Sequence, residues 1–464
     1  MHGTHPFRFS SLSKQLLDVG VLAVLTLFAL DGQVASAQAP PTLNETTKLR
    51  ASDTAMFDQF GSAVSVSGSR MMVGAPNHNG ISGAMYVFER SNATGMWNED
   101  ATLGCGQHTG ISVSVSGDTA LAGATAGRPC VFERDDLTGN WNQAPQPEEF
   151  IRSRYVAVSG RRVVGKDGGA AYASEQDPRS GTWLEREQLD NPTGGEGIGE
   201  VSISGGEVLV GFINGGDTLA PGVARIHGRE GGTGFWVLLA ELRASDEEVD
   251  DQFGFSVSLS GNTAVIGAPA DDDGGEDSGS VYVFERNSGT GAWSEVAKLA
   301  ADDAQAFANF GDSVFVLGNR LLVGAPNAGA SQTGAVYDYN RDSQSGNWNL
   351  VAKLLPSDGE AGDRFGDSVA ISGGIAVVGS PQDDGDIPAQ CGDPSSCSDF
   401  GAVYVFEEPG DLAVVEQPLD PNTSTMPVTL TFDVITSTGN TTLTTSMAGP
   451  PPPSGFQPGN GCAT

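Results

Sequence analysis

The chain has 464 residues, 64 of them glycine, about twice the share of an ordinary protein. It is 38% apolar and shows no Gly-X-Y period, which excludes a collagen and wholesale disorder. Lys and Arg number 24 against 58 Asp and Glu, a net charge of −34, so phosphate backbones and anionic membranes are repelled and nucleic acid is no partner.

The first element is predicted to be a signal peptide over residues 1–37. Arg8 and Lys14 supply the positive region, Leu16–Leu30 is mostly apolar, and Ala35-Ser36-Ala37 reads as a cleavage site. About 15 apolar residues fall short of the ~20 that span a bilayer, and no later segment is longer, so a secreted or cell-surface protein without a transmembrane segment is expected. Five cysteines suit an exported chain. Cys391 and Cys397 close a short loop, Cys105 and Cys130 fall within one repeat, Cys462 is left over, and pairing stays open. Asn44, Asn92, Asn422 and Asn440 begin N-x-[ST] sequons.

From about residue 42 to 410 the sequence repeats itself. A small Ser-Gly turn, once Leu-Gly, recurs at residues 67, 116, 159, 204, 260, 317 and 372, and a Gly follows an apolar pair each time, as at Gly74, Gly267 and Gly379. Each copy reads as four short strands: an alternating Ser/Val strand, an apolar strand ending Gly-Ala-Pro, an aromatic strand such as Val281-Tyr282-Val283-Phe284, and a strand headed by Trp. All six tryptophans, Trp97, Trp141, Trp183, Trp236, Trp293 and Trp348, take that place and are expected to wedge between neighbouring units rather than stack on ligand. The seventh copy lacks a Trp-headed strand, whereas Thr46–Asp53 matches the end of one. The prediction is an all-β, seven-bladed β-propeller whose last blade is completed by the N-terminal strand, which removes open sheet edges.

The pairs Phe60-Gly61 with Gly74-Ala75-Pro76, Phe253-Gly254 with Gly267-Ala268-Pro269, Phe310-Gly311 with Gly324-Ala325-Pro326, and Phe365-Gly366 with Gly379-Ser380-Pro381 resemble FG-GAP repeats. Such repeats build the propeller of integrin alpha chains and of many secreted bacterial proteins. The resemblance implies a propeller that binds proteins or glycans, and it does not by itself imply catalysis. It also implies a calcium loop between strands one and two. Here that connection is only a Ser-Gly turn, too short for six oxygen ligands, so no cofactor is assigned and calcium stays open.

Loops between strands two and three and between strands four and one are expected on one face. In the last three blades both kinds are acidic. Asp246, Asp250, Asp302, Asp358, Asp383 and Asp384 are the candidate ligand-binding residues, and Asp271, Asp273, Glu276 and Asp277 the candidate metal residues. The same carboxylates equally suit a solvated rim. No nucleophile elbow, H-E-x-x-H or phosphate loop is present, so an enzyme is not expected. An adhesion module for an extracellular protein is the favoured function, with a glycan-binding lectin using inter-blade sites as the alternative. Residues 411–464 read as a linker, a partial β-module over Pro427–Thr445 and a Pro-rich tail, and the chain as part of a larger surface protein.

Overall fold

The computed structural model describes residues 42–409 apart from 126–127, 145–152, 168–169, 178, 185–186, 191–196, 198, 214–219, 231–234 and 386–398. The expected signal peptide, the tail module, Cys391, Cys397 and Cys462 lie outside the described residues. The strands form seven four-stranded antiparallel sheets. Six are consecutive in the chain, running from Ala63–Ser67 to Trp97–Leu103 in blade 1 and from Ser313–Leu317 to Trp348–Leu354 in blade 6. Blade 7 takes Ser368–Ser372, Ile375–Ser380 and Ala402–Glu407 from the end of the repeat region, and Asn44–Leu49 from its beginning.

The closing strand reproduces the other fourth strands in detail. Its register shifts between Glu45 and Thr47 opposite Phe406 and Val405, as blade 1 shifts between Glu99 and Ala101 opposite Phe88 and Val87. Glu45 takes both hydrogen bonds of Ser357, from the backbone N–H (2.9 Å) and the hydroxyl (2.7 Å), just as Glu99 takes those of Ser52 and Glu295 those of Ser245. The bulge is a useful defence, since it twists an exposed edge away from further pairing.

No single core exists. Seven apolar clusters each lie between two adjacent blades, because a four-stranded sheet can bury its faces only against its neighbours. Every Trp packs into the cluster it shares with the preceding blade. Trp97 sits with Ala370 and Val377 of blade 7, and Trp348 with Val265 and Val283 of blade 5. The expected wedge is therefore what these side chains form. In blade 3 the strand is broken: Trp183 makes one bridge to Gln176, and pairing resumes at Glu187–Asp190.

The repeat motif has a packing cause. The motif Phe is fully buried and meets two aromatic edges, as Phe60 meets Tyr86 (5.4 Å) and Phe88 (6.0 Å). Its following Gly has φ near +90° and lays its carbonyl on the Gly of the preceding blade. A Cβ on Gly267 would lie 2.0 Å from Gly311 O, and one on Gly379 2.0 Å from Gly61 O. The Ser/Val first strands surround an axial channel of about 350 Å³ and do not pair with one another. Serine hydroxyls join them instead: Ser256 Oγ donates to Gly311 O (2.7 Å), Ser258 Oγ accepts from Val316 N (3.0 Å), and Ser260 Oγ accepts from Gly318 N (3.1 Å). Leu317, the one non-serine among the turn residues, leaves that outermost position without a hydroxyl. Cys105 and Cys130 form a disulfide.

Candidate functional site

The loops between strands two and three and those between strands four and one do share a face. Phe307 N donates to Glu276 O (2.6 Å), Asn309 N to Asp277 O (3.1 Å) and Phe310 N to Ser278 O (2.9 Å), which zips the two loops of blade 5 together. Tyr and Lys stand directly opposite each other on strands three and four: Tyr282 with Lys298, Tyr337 with Lys353, Tyr404 with Lys48. Both point to the rim, and each ammonium lies about 5 Å from its Tyr ring, at 5.2, 4.9 and 5.0 Å.

These lysines take up the carboxylates that the sequence marked. Lys298 Nζ is 2.7 Å from Asp246, 2.8 Å from Asp271 and 2.6 Å from Asp273, and Tyr282 OH lies 2.9 Å from both Asp246 and Asp271, sharing its one proton between them. Lys48 joins Asp358 and Asp383, both at 2.7 Å, with Arg50 also on Asp383. Lys353 reaches Asp303 alone (2.6 Å). Asp246, Asp271 and Asp273 thus come together, while Glu276 and Asp277 stand apart from them. Asp384 accepts from the Asp399 N–H (2.8 Å), and Asp250 and Asp302 are exposed on the loops. Three carboxylates gathered on a lysine ammonium do not fit a resident calcium ion, which would have to displace that ammonium.

Blade 1 solves the same charge problem differently. Thr102 stands where Lys298 would, and His78 stands where Asp271 would, its Nδ1 3.0 Å from Asp58 and its Nε2 3.6 Å from Asp53. Blade 6 drops both partners, with Ala308 and Ala328 buried in their place. Titration follows this geometry. Burial alone would raise Asp246, Asp303 and Asp358, but hydrogen bonds from lysine and tyrosine outweigh it and hold all three below the usual carboxylate range. Asp251 and Asp363 have no such donor; burial and then neighbouring carboxylates push each up to about 6, against a backbone N–H bond that lowers it.

The lysines and tyrosines escaped the sequence reading, which counted only acids. The signal was present: V-Y-V-F recurs in blades 5 and 7, and its Tyr faces the Lys of a recurring K-L pair, Lys298-Leu299 in blade 5 and Lys48-Leu49 in blade 7. Removing Lys298 should be costly, because buried Asp271 then faces Asp246 without a cation. Lys298→Met is expected to lose about 2 kcal/mol in thermal unfolding at pH 7, and Lys353→Met, with one exposed partner, less than half of that. Equal losses would contradict the arrangement.

The family model described as FG-GAP repeat matches residues 43–88, 236–284, 293–339 and 348–406. The chain carries FG-GAP repeats on a seven-bladed β-propeller. Its seven blades and these repeats fit an integrin-alpha-like propeller. The matches cover the first three strands of blades 1, 5, 6 and 7 and the outer strands of blades 4, 5, 6 and 7; they omit blades 2 and 3 and the rest of blade 4, and in blade 2 Thr109-Gly110 and Gly123-Ala124-Thr125 replace the motif. No curated protein matches the chain. Among the described residues of the FG-GAP propeller, no helix is long and apolar enough to cross a membrane. The fold is compatible with a protein-binding or adhesion module.

Proposed function

We propose that this FG-GAP propeller is an exported, non-enzymatic adhesion module that grips a protein ligand with its acidic rim. One observation carries the reading. Phe57 and Phe307, in the loops that lead into blades 1 and 6, are 53% and 47% exposed and hold φ of 68° and 65°. A bulky side chain in the left-handed region costs about 1–3 kcal/mol. The matching positions of blades 5 and 7 use Asp250 and Gly362, with φ of 79° and 89°, so the backbone demands the conformation and not the ring. Exposed Met56, beside Phe57, and Val249 widen the apolar tips among the carboxylates. Aromatic anchors inside a charged rim are the composition of a protein-binding surface.

The test exploits the strain. Phe57→Gly with Phe307→Gly should raise the melting temperature by a few degrees, since glycine relieves both positions. The same variant should lose tenfold or more in affinity for whichever protein a matrix-protein panel shows the wild type to bind. Binding confined to a glycan array and unchanged in the variant would favour the lectin reading instead.

A further inference from the structure

In blades 1, 2, 5 and 6 the chain passes from strand three to strand four through its own turn, as at Ser91–Met96, where Arg90 Nε donates to Gly95 O (3.1 Å). Blade 7 has no such turn, because its third strand ends at Glu407 and its fourth starts at Asn44. It also lacks the Trp. Asn44 faces Glu407 as Asn98 faces Glu89, so the place that Trp97 takes beside Asn98 falls to the smaller Leu43. A groove of about 970 Å³ lies where the turn is missing, against blade 1. Its wall includes Thr47, Met96, Trp97, Ile375 and Pro409, with Met96 65% exposed.

Two facts indicate what belongs there. The charges around the groove are already paired, Arg90 with Glu407 (2.7 Å) and Glu408 with Arg320, which leaves an apolar occupant favoured over a charged one. Pro409 is itself on the wall, and the sequence continues Gly410-Asp411-Leu412-Ala413-Val414-Val415. Only Gly410 and Asp411 separate Pro409 from Leu412, three steps of no more than about 3.6 Å each, so this apolar run is tethered at the groove at a very high effective concentration. We propose that Leu412–Val415 of the same chain seats in the groove and supplies the side of blade 7 that the missing turn leaves open. The seam where the ring closes is then held by both ends of the repeat region.

Hydrogen–deuterium exchange of the full chain tests this. Amides of residues 412–415 should exchange about tenfold or more slowly in the wild type than in Leu412→Asp/Val414→Asp. Met96→Asp, which alters only the groove, should release the same amides while residues 402–407 stay protected, showing that the blade is still folded. Equal, fast exchange in wild type and variants overturns the proposal. So does protection that appears only at high protein concentration together with a dimer, since the occupant would then be a second copy.

Discussion

Gly379→Ala is expected to destabilise the propeller by about 4 kcal/mol or more, or to prevent the ring from closing. Gly379 belongs to blade 7 and faces Gly61 of blade 1, so the substitution strikes the contact between the blade that closes the ring and its neighbour. The added Cβ would sit 2.0 Å from Gly61 O and 2.3 Å from Ser368 Oγ. The nearest atom is backbone, and Ser368 Oγ is itself engaged with Gly61 O at 2.8 Å, so neither can move without opening the contact between blades. Overpacking of this kind costs more than the loss of one methylene, because two blades must separate to accept it. Gly373→Ala provides the control. That glycine has φ of 60° and nothing within 4 Å of its would-be Cβ, so only local backbone strain of about 1–2 kcal/mol is expected. Urea unfolding of both variants separates the two causes. A loss at Gly379 no larger than at Gly373 would mean that the close approach of the motif glycines does not hold the blades together.

The same seam shows how far the sequence could be read. The blade count, the strand order and the N-terminal closure follow from the repeat, because turn glycines and alternating strands recur at a spacing that only a four-stranded unit explains. The match of Thr46–Asp53 to an outer strand is realised down to the bulge and the Glu45 hydrogen bonds. The rim was legible only in part. Loop length and composition locate carboxylates such as Asp246 and Asp383 on one face, but which of them meet depends on cross-strand register. Register places Lys298 and Lys48 on the rim, and the turn inside the loop separates Glu276 and Asp277 from Asp271 and Asp273 although all four lie within seven residues. The Arg and Glu that end the third strands were equally hidden. Arg341 of blade 6 reaches back to Glu285 of blade 5 (2.5 Å), and Arg90 reaches Glu407 across the seam. In a single strand these residues read as an ordinary polar end; only the ring makes them partners.

The channel mouth carries the second large effect. Glu200 and Asp367 line it from blades 4 and 7, Asp367 tied to Arg364 at 2.5 Å, and Asp312 of blade 6 acts on Glu200 and is acted on by Asp367 through their charges. Burial pushes Glu200 up to about 8, and the charges of Asp312 and Asp367 add to this against one hydrogen bond from Val257 N–H. Burial likewise pushes Asp312 up to about 7, with Asp367 raising it further and Arg364 opposing. An acid that binds its proton more tightly when folded makes stability fall as pH rises from the unfolded value, near 4, through the folded one. The rim aspartates held low by lysine act in the opposite sense, losing their stabilisation only as pH drops below about 4. Stability should therefore peak near pH 5 and decline towards pH 8. Glu200→Gln and Asp312→Asn remove the charge that the channel penalises, so the double variant is expected to gain about 3–4 kcal/mol at pH 8, about 1 kcal/mol at pH 5 and almost nothing at pH 4. Water in the channel screens part of the penalty, which keeps the gain below the full conversion of both shifts. Melting curves between pH 4 and pH 9 decide the matter: wild-type and variant curves that run parallel would show that these carboxylates are solvated as ordinary surface groups, whereas curves that converge towards pH 4 and diverge by pH 8 place the cost in the channel.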